Sequence, residues 1–249
     1  MKLFLTSQTS LSICENDIKI GSKINNSNNF LENLRKYCKN FTNFVYVANN
    51  PHDHEDNDVS GNFVYKAFCE EGFKFDSLII LDNRNAMDAK QIINNADVVF
   101  IRGGALQCQI DFFKQYDIDK FLYISNAIII GQSAGSMILS KNVYQYPETQ
   151  ADFELPRFIT GMGFFDLMII PHFDQNLGNE ICDGTFNPLL DFFFSDSMAH
   201  TFLALENGSY IILDDKNTEI YGNAYIIKHG KVNKICSTNK SISIDRNKI

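Results

Sequence analysis

Residues 127–136, Ala-Ile-Ile-Ile-Gly-Gln-Ser-Ala-Gly-Ser, set an unbroken apolar run directly against two glycines that bracket a serine. A short segment that is β-branched at successive positions suits a strand covered on both faces, and Val98-Val99-Phe100-Ile101 repeats the pattern. Such strands belong to parallel sheets with helices above and below. Strand-forming runs at Lys2–Thr6, Asn43–Ala48, Ser77–Leu81, Asp97–Ile101, Ala127–Gly131 and Leu167–Pro171 alternate with helix-compatible segments at Asn29–Cys38, Val59–Glu71, Asp88–Asn95, Leu106–Gln115 and Ala134–Leu139. The expected fold class is α/β: a three-layer α/β/α sandwich on a mostly parallel sheet.

After residue 200 the pattern changes to short strands punctuated by Asn207-Gly208, Tyr221-Gly222 and His229-Gly230. We expect a β-meander over about 200–236 that continues the sheet, then a polar tail, 237–249, frayed at its end. With 249 residues, 45% of them hydrophobic, the chain can bury one sizeable core, so 1–249 is expected to form a single domain.

A net charge of -8 argues against a nucleic-acid partner, which needs a basic surface to displace counterions. The six cysteines (Cys14, Cys38, Cys69, Cys108, Cys182 and Cys236) follow no CxxC or regular spacing and read as free thiols in a reducing compartment. The apolar run Leu3–Leu5 is too short for a signal-peptide core, and no stretch of 18 apolar residues occurs, so the expectation is a cytoplasmic protein without a membrane partner.

The segment Gly131-Gln132-Ser133-Ala134-Gly135 lies where a strand passes into a helix. A serine on such a turn projects its hydroxyl above the sheet, while flanking glycines let strand and helix approach without Cβ clashes. The helix N-terminus offers unpaired N–H groups to a developing oxyanion, that of Ala134 first. The alternative is a tight βα turn with Ser133 as a simple N-cap.

A serine nucleophile needs a base. His52 and His54, in Pro51-His-Asp-His-Glu-Asp56, read as a solvated loop, since no third metal-ligand group follows at a diagnostic distance. His200 and His229 precede a strand and occupy a turn. His172 ends the apolar run Leu167–Pro171, which puts it at a strand's C-terminal edge, where open α/β sheets place their sites. A carboxylate should fix the imidazole tautomer. Glu206, at the end of Thr201–Leu205, is the first choice and Glu148 the second, ahead of Asp152, Glu154 and Asp174. Gly103-Gly104, closing the strand Asp97–Ile101, can bring a second backbone N–H to the oxyanion, or can merely make a turn.

Taken in order, Ile101-Arg-Gly-Gly104, Ile130-Gly-Gln-Ser-Ala-Gly-Ser136, Gly161-Met-Gly-Phe-Phe165, Ile170-Pro-His-Phe173 and Leu205-Glu-Asn-Gly-Ser209 resemble the serine peptidase family that contains dipeptidase E and cyanophycinase, over roughly residues 1 to 230. The resemblance implies a flavodoxin-like fold similar to class I glutamine amidotransferases, with serine at the elbow cysteine, and cleavage of a peptide or isopeptide bond involving aspartate. It carries the nucleophile onto Ser133, the base onto His172, the acid onto Glu206 (or Glu148) and the oxyanion donors onto Gly104 and Ala134. Substrate contacts fall on Gly103 and, by hypothesis, on Arg102 or Arg157 through a substrate carboxylate. The family's Asn or Asp followed by Gln or Thr after the paired glycines is replaced by Ala105-Leu106-Gln107, so Gln107 can serve only if its helix turns it inward. The reaction so implied is acyl transfer on a small peptide, with no cofactor, by a monomer or homodimer. An α/β-hydrolase esterase and a silent binding protein on the same scaffold are the rivals.

Overall fold

The computed structural model describes residues 1–16, 18–38, 42–145, 154–173, 193–214 and 217–244. The chain begins with β1 (Lys2–Thr6), β2 (Ser10–Glu15), β3 (Ile18–Ile24), α1 (Phe30–Tyr37), β4 (Asn43–Val47), α2 (His54–Glu70) and β5 (Ser77–Leu81). It continues through α3 (Ala89–Asn94), β6 (Val98–Ile101), α4 (Leu106–Gln115), α5 (Ile118–Ile124), β7 (Ile128–Gln132) and α6 (Ala134–Ile138). Further strands follow: β8 (Asn142–Tyr144), β9 (Phe158–Thr160), β10 (Met168–Ile170), β11 (Phe202–Leu205), β12 (Tyr210–Leu213), β13 (Thr218–Tyr221), β14 (Ala224–Lys228), β15 (Lys231–Cys236) and β16 (Ser241–Ser243).

An eight-stranded sheet in the order β16-β13-β12-β1-β7-β6-β4-β5 forms the middle layer of an α/β sandwich. From β1 to β5 its pairings are parallel, and from β1 outward to β16 they are antiparallel, so the sheet is mixed. The period-2 alternation of strands splits the core cleanly. One face carries Leu3, Leu5, Val45, Val47, Val99, Ile101 and Ile129, covered by α3, α4, α5 and α6. The other carries Phe4, Phe44, Tyr46, Phe100, Ile128 and Ile130, covered by Leu31 and Leu34 of α1 and by Val64 and Phe68 of α2. Both faces are buried, which is why the strands read as continuous apolar runs; each fully buried Phe or Ile adds about 1.5–3 kcal/mol.

Several features of the structure differ from the sequence reading. The C-terminal strands do not all extend the main sheet: β12, β13 and β16 do, while β11, β14 and β15 join β10 in a second, four-stranded sheet. The run Leu167–Pro171 therefore sits outside the main sheet, with β10 parallel to β11. Helix α2 starts at His54, not Val59, because the Asp53 carboxylate accepts the Asp56 N–H and caps it. The polar tail contributes β16, paired with β13, and its last residues, 245–249, lie outside the described residues. The hairpin of β2 and β3, with Asn16 at φ +48°, and helix α5 have no counterpart in the sequence reading.

Candidate active site

Strand β7 ends at Gln132 in the middle of the large sheet, and the next residue, Ser133, takes φ +52° and ψ -121° before α6 begins. A non-glycine residue in that region is strained and persists only where its surroundings hold it. Here they do. The Ser133 N–H donates to the Thr6 carbonyl at 2.9 Å. The buried Ser136 hydroxyl accepts the Thr6 N–H (2.8 Å) and reaches the carbonyls of Gly131 (2.7 Å) and Thr6 (2.8 Å), tying the turn to β1. Glycine is required beside it: a Cβ on Gly135 would stand 2.3 Å from the Ile101 carbonyl oxygen, and one on Gly131 2.8 Å from that of Gly135.

The second sheet supplies the partner. Past the end of β10, His172 adopts φ +55° and donates its N–H to Ser7 Oγ at 2.7 Å. Its ring bridges two side chains: Nε2 lies 2.8 Å from Ser133 Oγ and Nδ1 lies 2.6 Å from Asn207 Oδ1. Ser7 Oγ in turn donates to Asn207 Oδ1 at 3.3 Å. Glu206, the carboxylate expected at Nδ1, is turned away, with Oε2 accepting Asn223 Nδ2 (2.7 Å) and Oε1 accepting the Tyr225 hydroxyl. Neighbouring residues at the end of β11 point to opposite sides, so a one-residue shift decides which of them meets the imidazole. Glu148, the other acid considered, lies outside the described residues.

Gly103 and Gly104 follow β6 alongside the elbow. A Cβ on Gly103 would come within 2.8 Å of Ser133 Cβ and 3.4 Å of the Ala134 nitrogen, so only glycine allows this approach. Gly104, at φ +138°, packs on Asn49. Ala134 opens α6, so its N–H has no acceptor within the helix. The loop between β6 and α4 is held from beneath by buried Gln109, whose Nε2 donates to the carbonyls of Arg102 (2.9 Å) and Ala48 (3.2 Å).

A cavity of about 480 Å³ opens over these groups, lined among others by Lys19, Tyr46, Arg102, Gly103, Ser133 and His172. Arg102 is ion-paired with Asp56. Burial alone would raise the Asp56 carboxyl, but Arg102, the Ser60 hydroxyl and Lys19 outweigh it and hold it below the ordinary range. Burial, and then the Arg102 charge, pushes the Lys19 ammonium below its usual value. Burial also keeps the Tyr46 phenol protonated. The hairpin carrying Lys19 is fixed beside Ser133 by Gln132, whose Oε1 accepts from Ser10 N (2.7 Å), Ser10 Oγ (2.9 Å) and Thr9 N (3.2 Å).

The remaining candidates fall elsewhere. Gln107 is exposed and donates to Asp111 on its own helix at 2.8 Å. Arg157 pairs with Asp196 at 2.8 Å, beside Tyr144. His52 and His54 both bond Asn83, at 2.7 and 2.6 Å. Among the described residues no group of three or more His, Cys, Asp or Glu side chains is arranged to hold a metal, and no helix is long and apolar enough to cross a membrane. His200 packs against Phe158 in a tilted arrangement, with ring centroids 4.2 Å apart. Sequence reasoning missed Ser7, Lys19, Asp56 and Asn207. Asn207 had been absorbed into a turn signal, and Lys19 lay in an unrecognised hairpin whose Asn16-Asp17 dipeptide was the available clue.

The sequence pattern of Peptidase family S51 matches residues 20–221. No protein of curated function matches the chain in sequence. Among solved structures, a peptidase from an acI-B1 Actinobacterium superposes with a TM-score of 0.66 at 15% identity, over 98% of this chain and 96% of that one. A candidate peptidase E protein from Listeria monocytogenes EGD-e gives 0.56 at 16% identity, over 87% and 96%. At such identities these likenesses speak for the fold.

Proposed function

Because the chain belongs to peptidase family S51 and is a serine peptidase, we propose that it hydrolyses a peptide or isopeptide bond of a small peptide through an acyl-enzyme on Ser133. The observation that carries this reading is the 2.8 Å contact between His172 Nε2 and a serine hydroxyl held on a strained strand-to-helix turn. His172 takes the Ser133 proton as Oγ attacks the scissile carbonyl carbon. The oxyanion is met by the N–H groups of Ala134 and Gly104, with Gly103 clearing the approach. The imidazolium then protonates the leaving amine as the C–N bond breaks, and a water deprotonated by His172 releases the acyl group as a carboxylic acid.

The cavity charge supports an acidic substrate. Lys19 and Arg102 bring two positive charges against the one negative charge of Asp56, leaving a net positive site next to the nucleophile on a protein of charge -8. A side-chain carboxylate on the acyl side, as in an aspartyl peptide, satisfies that surplus. A cytoplasmic monomer or homodimer acting without nucleic acid fits the net charge of -8 and the irregular spacing of the cysteines. The test is a dipeptide-library digest with wild type, Ser133→Ala and Lys19→Met. We expect Ser133→Ala to abolish turnover and fluorophosphonate labelling. We expect Lys19→Met to raise KM for Asp-Xaa about tenfold, the loss of one charge-assisted contact, while neutral Xaa-Xaa is unaffected. Turnover that survives Ser133→Ala removes the mechanism, and an unchanged Asp-Xaa KM removes the carboxylate site.

A further inference from the structure

The His172 imidazole can serve as a base only if its proton sits on Nδ1, leaving Nε2 free to accept from Ser133. In serine hydrolases that use a carboxylate, the acid enforces this tautomer and offsets the imidazolium charge. Here the group at Nδ1 is an amide, and amides can be placed either way round, so the local donors must decide. Ser7 decides it. Its oxygen already accepts the His172 N–H at 2.7 Å, and its own O–H then needs an acceptor, which Asn207 presents 3.3 Å away. The atom facing both Ser7 and His172 is therefore Oδ1, and an amide oxygen has lone pairs for two donors. With Oδ1 at 2.6 Å, Nδ1 carries the hydrogen and Nε2 is the free base.

We infer that a neutral Ser7–Asn207 bracket, and not Glu206, positions His172 in this enzyme. Ser7 is wholly buried and its own N–H is bound to the Ser209 carbonyl at 3.1 Å, so one residue at the end of β1 grips the histidine backbone and the asparagine side chain together. Glu206 cannot take the place without abandoning both Asn223 and Tyr225. The bracket fixes tautomer and ring orientation but adds no negative charge next to the imidazolium. Asn207 and Ser7 are positioning residues acting through His172.

The inference rests on Ser133 and His172 being nucleophile and base, and the experiment separates the two. Full pH profiles of kcat/KM are measured for wild type, Asn207→Ala, Asn207→Asp, Ser7→Ala and Glu206→Gln, beside Ser133→Ala and with thermal melts as the check on folding. Asp suits the turn before Gly208 as well as Asn does, so Asn207→Asp should fold. We expect Asn207→Ala to lose roughly 100-fold in kcat/KM, within the range general-base catalysis supplies, with KM little changed. Asn207→Asp should retain activity with the acid limb displaced to higher pH, because an added carboxylate stabilises the protonated ring. Ser7→Ala should lose about tenfold, the scale of one hydrogen bond, and add little on top of Asn207→Ala. Glu206→Gln should leave both limbs in place. If instead Glu206→Gln collapses kcat/KM and Asn207→Ala does not, the bracket is wrong while the nucleophile stands. If Ser133→Ala remains active, both fail.

Discussion

At Gly135 the missing side chain is as consequential as any that is present. A methyl group there would meet the carbonyl oxygens of Ile101 and Arg102 at 2.3 and 2.9 Å, and both belong to backbone that cannot swing aside. Gly135→Ala should therefore push α6 off β6, with a cost of about 1–3 kcal/mol from overpacking. The same shift moves Ser133, whose N–H and turn are pinned on the other side to Thr6. We expect a lowered urea midpoint together with a fall in kcat of at least tenfold, read in parallel denaturation and kinetic assays. An Ala variant with wild-type kcat would show that the elbow tolerates displacement. Ser133 and His172 were legible in the sequence because each ends an apolar run, and a strand end is where a side chain leaves the sheet. Asn207 was not, since which of two adjacent residues faces the imidazole depends on the register of β11 against β10, and register is not written locally.

The elements show the same division. The parallel strands of the main sheet and most helices were legible because both faces of the sheet are buried and leave their mark as apolar runs or amphipathic periods. Helix α2 begins earlier than its apolar pattern does, and that extra turn matters, since it carries Asp56 to Arg102. A second carboxylate of the same helix, Asp58, is bound by Arg84 at 2.5 Å, and that hydrogen bond, with the Arg84 charge, holds it below the ordinary range against the opposing effect of burial. Asp56 is lowered too, so each gives a contribution that is complete above the ordinary carboxylate value and is lost as pH falls through the lowered one. The urea midpoint should thus be flat from neutrality down to about pH 5 and decline below about pH 4. Arg102→Gln should make that decline shallower by removing the Asp56 share. A slope identical to wild type would mean that the ion pair contributes nothing to folding. The second sheet was illegible because β10 and β11 look no different from main-sheet strands, and only long-range pairing assigns them to a separate sheet.

Across the whole molecule, the proposed reacting groups hang from different supports. Ser133 is carried by β7 and α6 of the large sheet; His172 and Asn207 follow β10 and β11 of the small one; Ser7, at the end of β1, is the stitch between them. The small sheet has a modest apolar cluster of its own around Tyr144, Phe193 and Phe202, whereas Leu203, Leu205 and Ile169 pack into the large core. Turnover is consequently a caliper laid across the joint: it reads the gap between the two slabs. Mild denaturant should open that gap first, so half of the activity should vanish at a lower urea concentration than half of the far-UV circular dichroism. Coincident transitions would mean that the slabs come apart only when each melts. Substitutions along the joint, remote from any substrate atom, would then act on kcat and leave KM alone, and the rate of this enzyme would be tuned by carpentry between sheets.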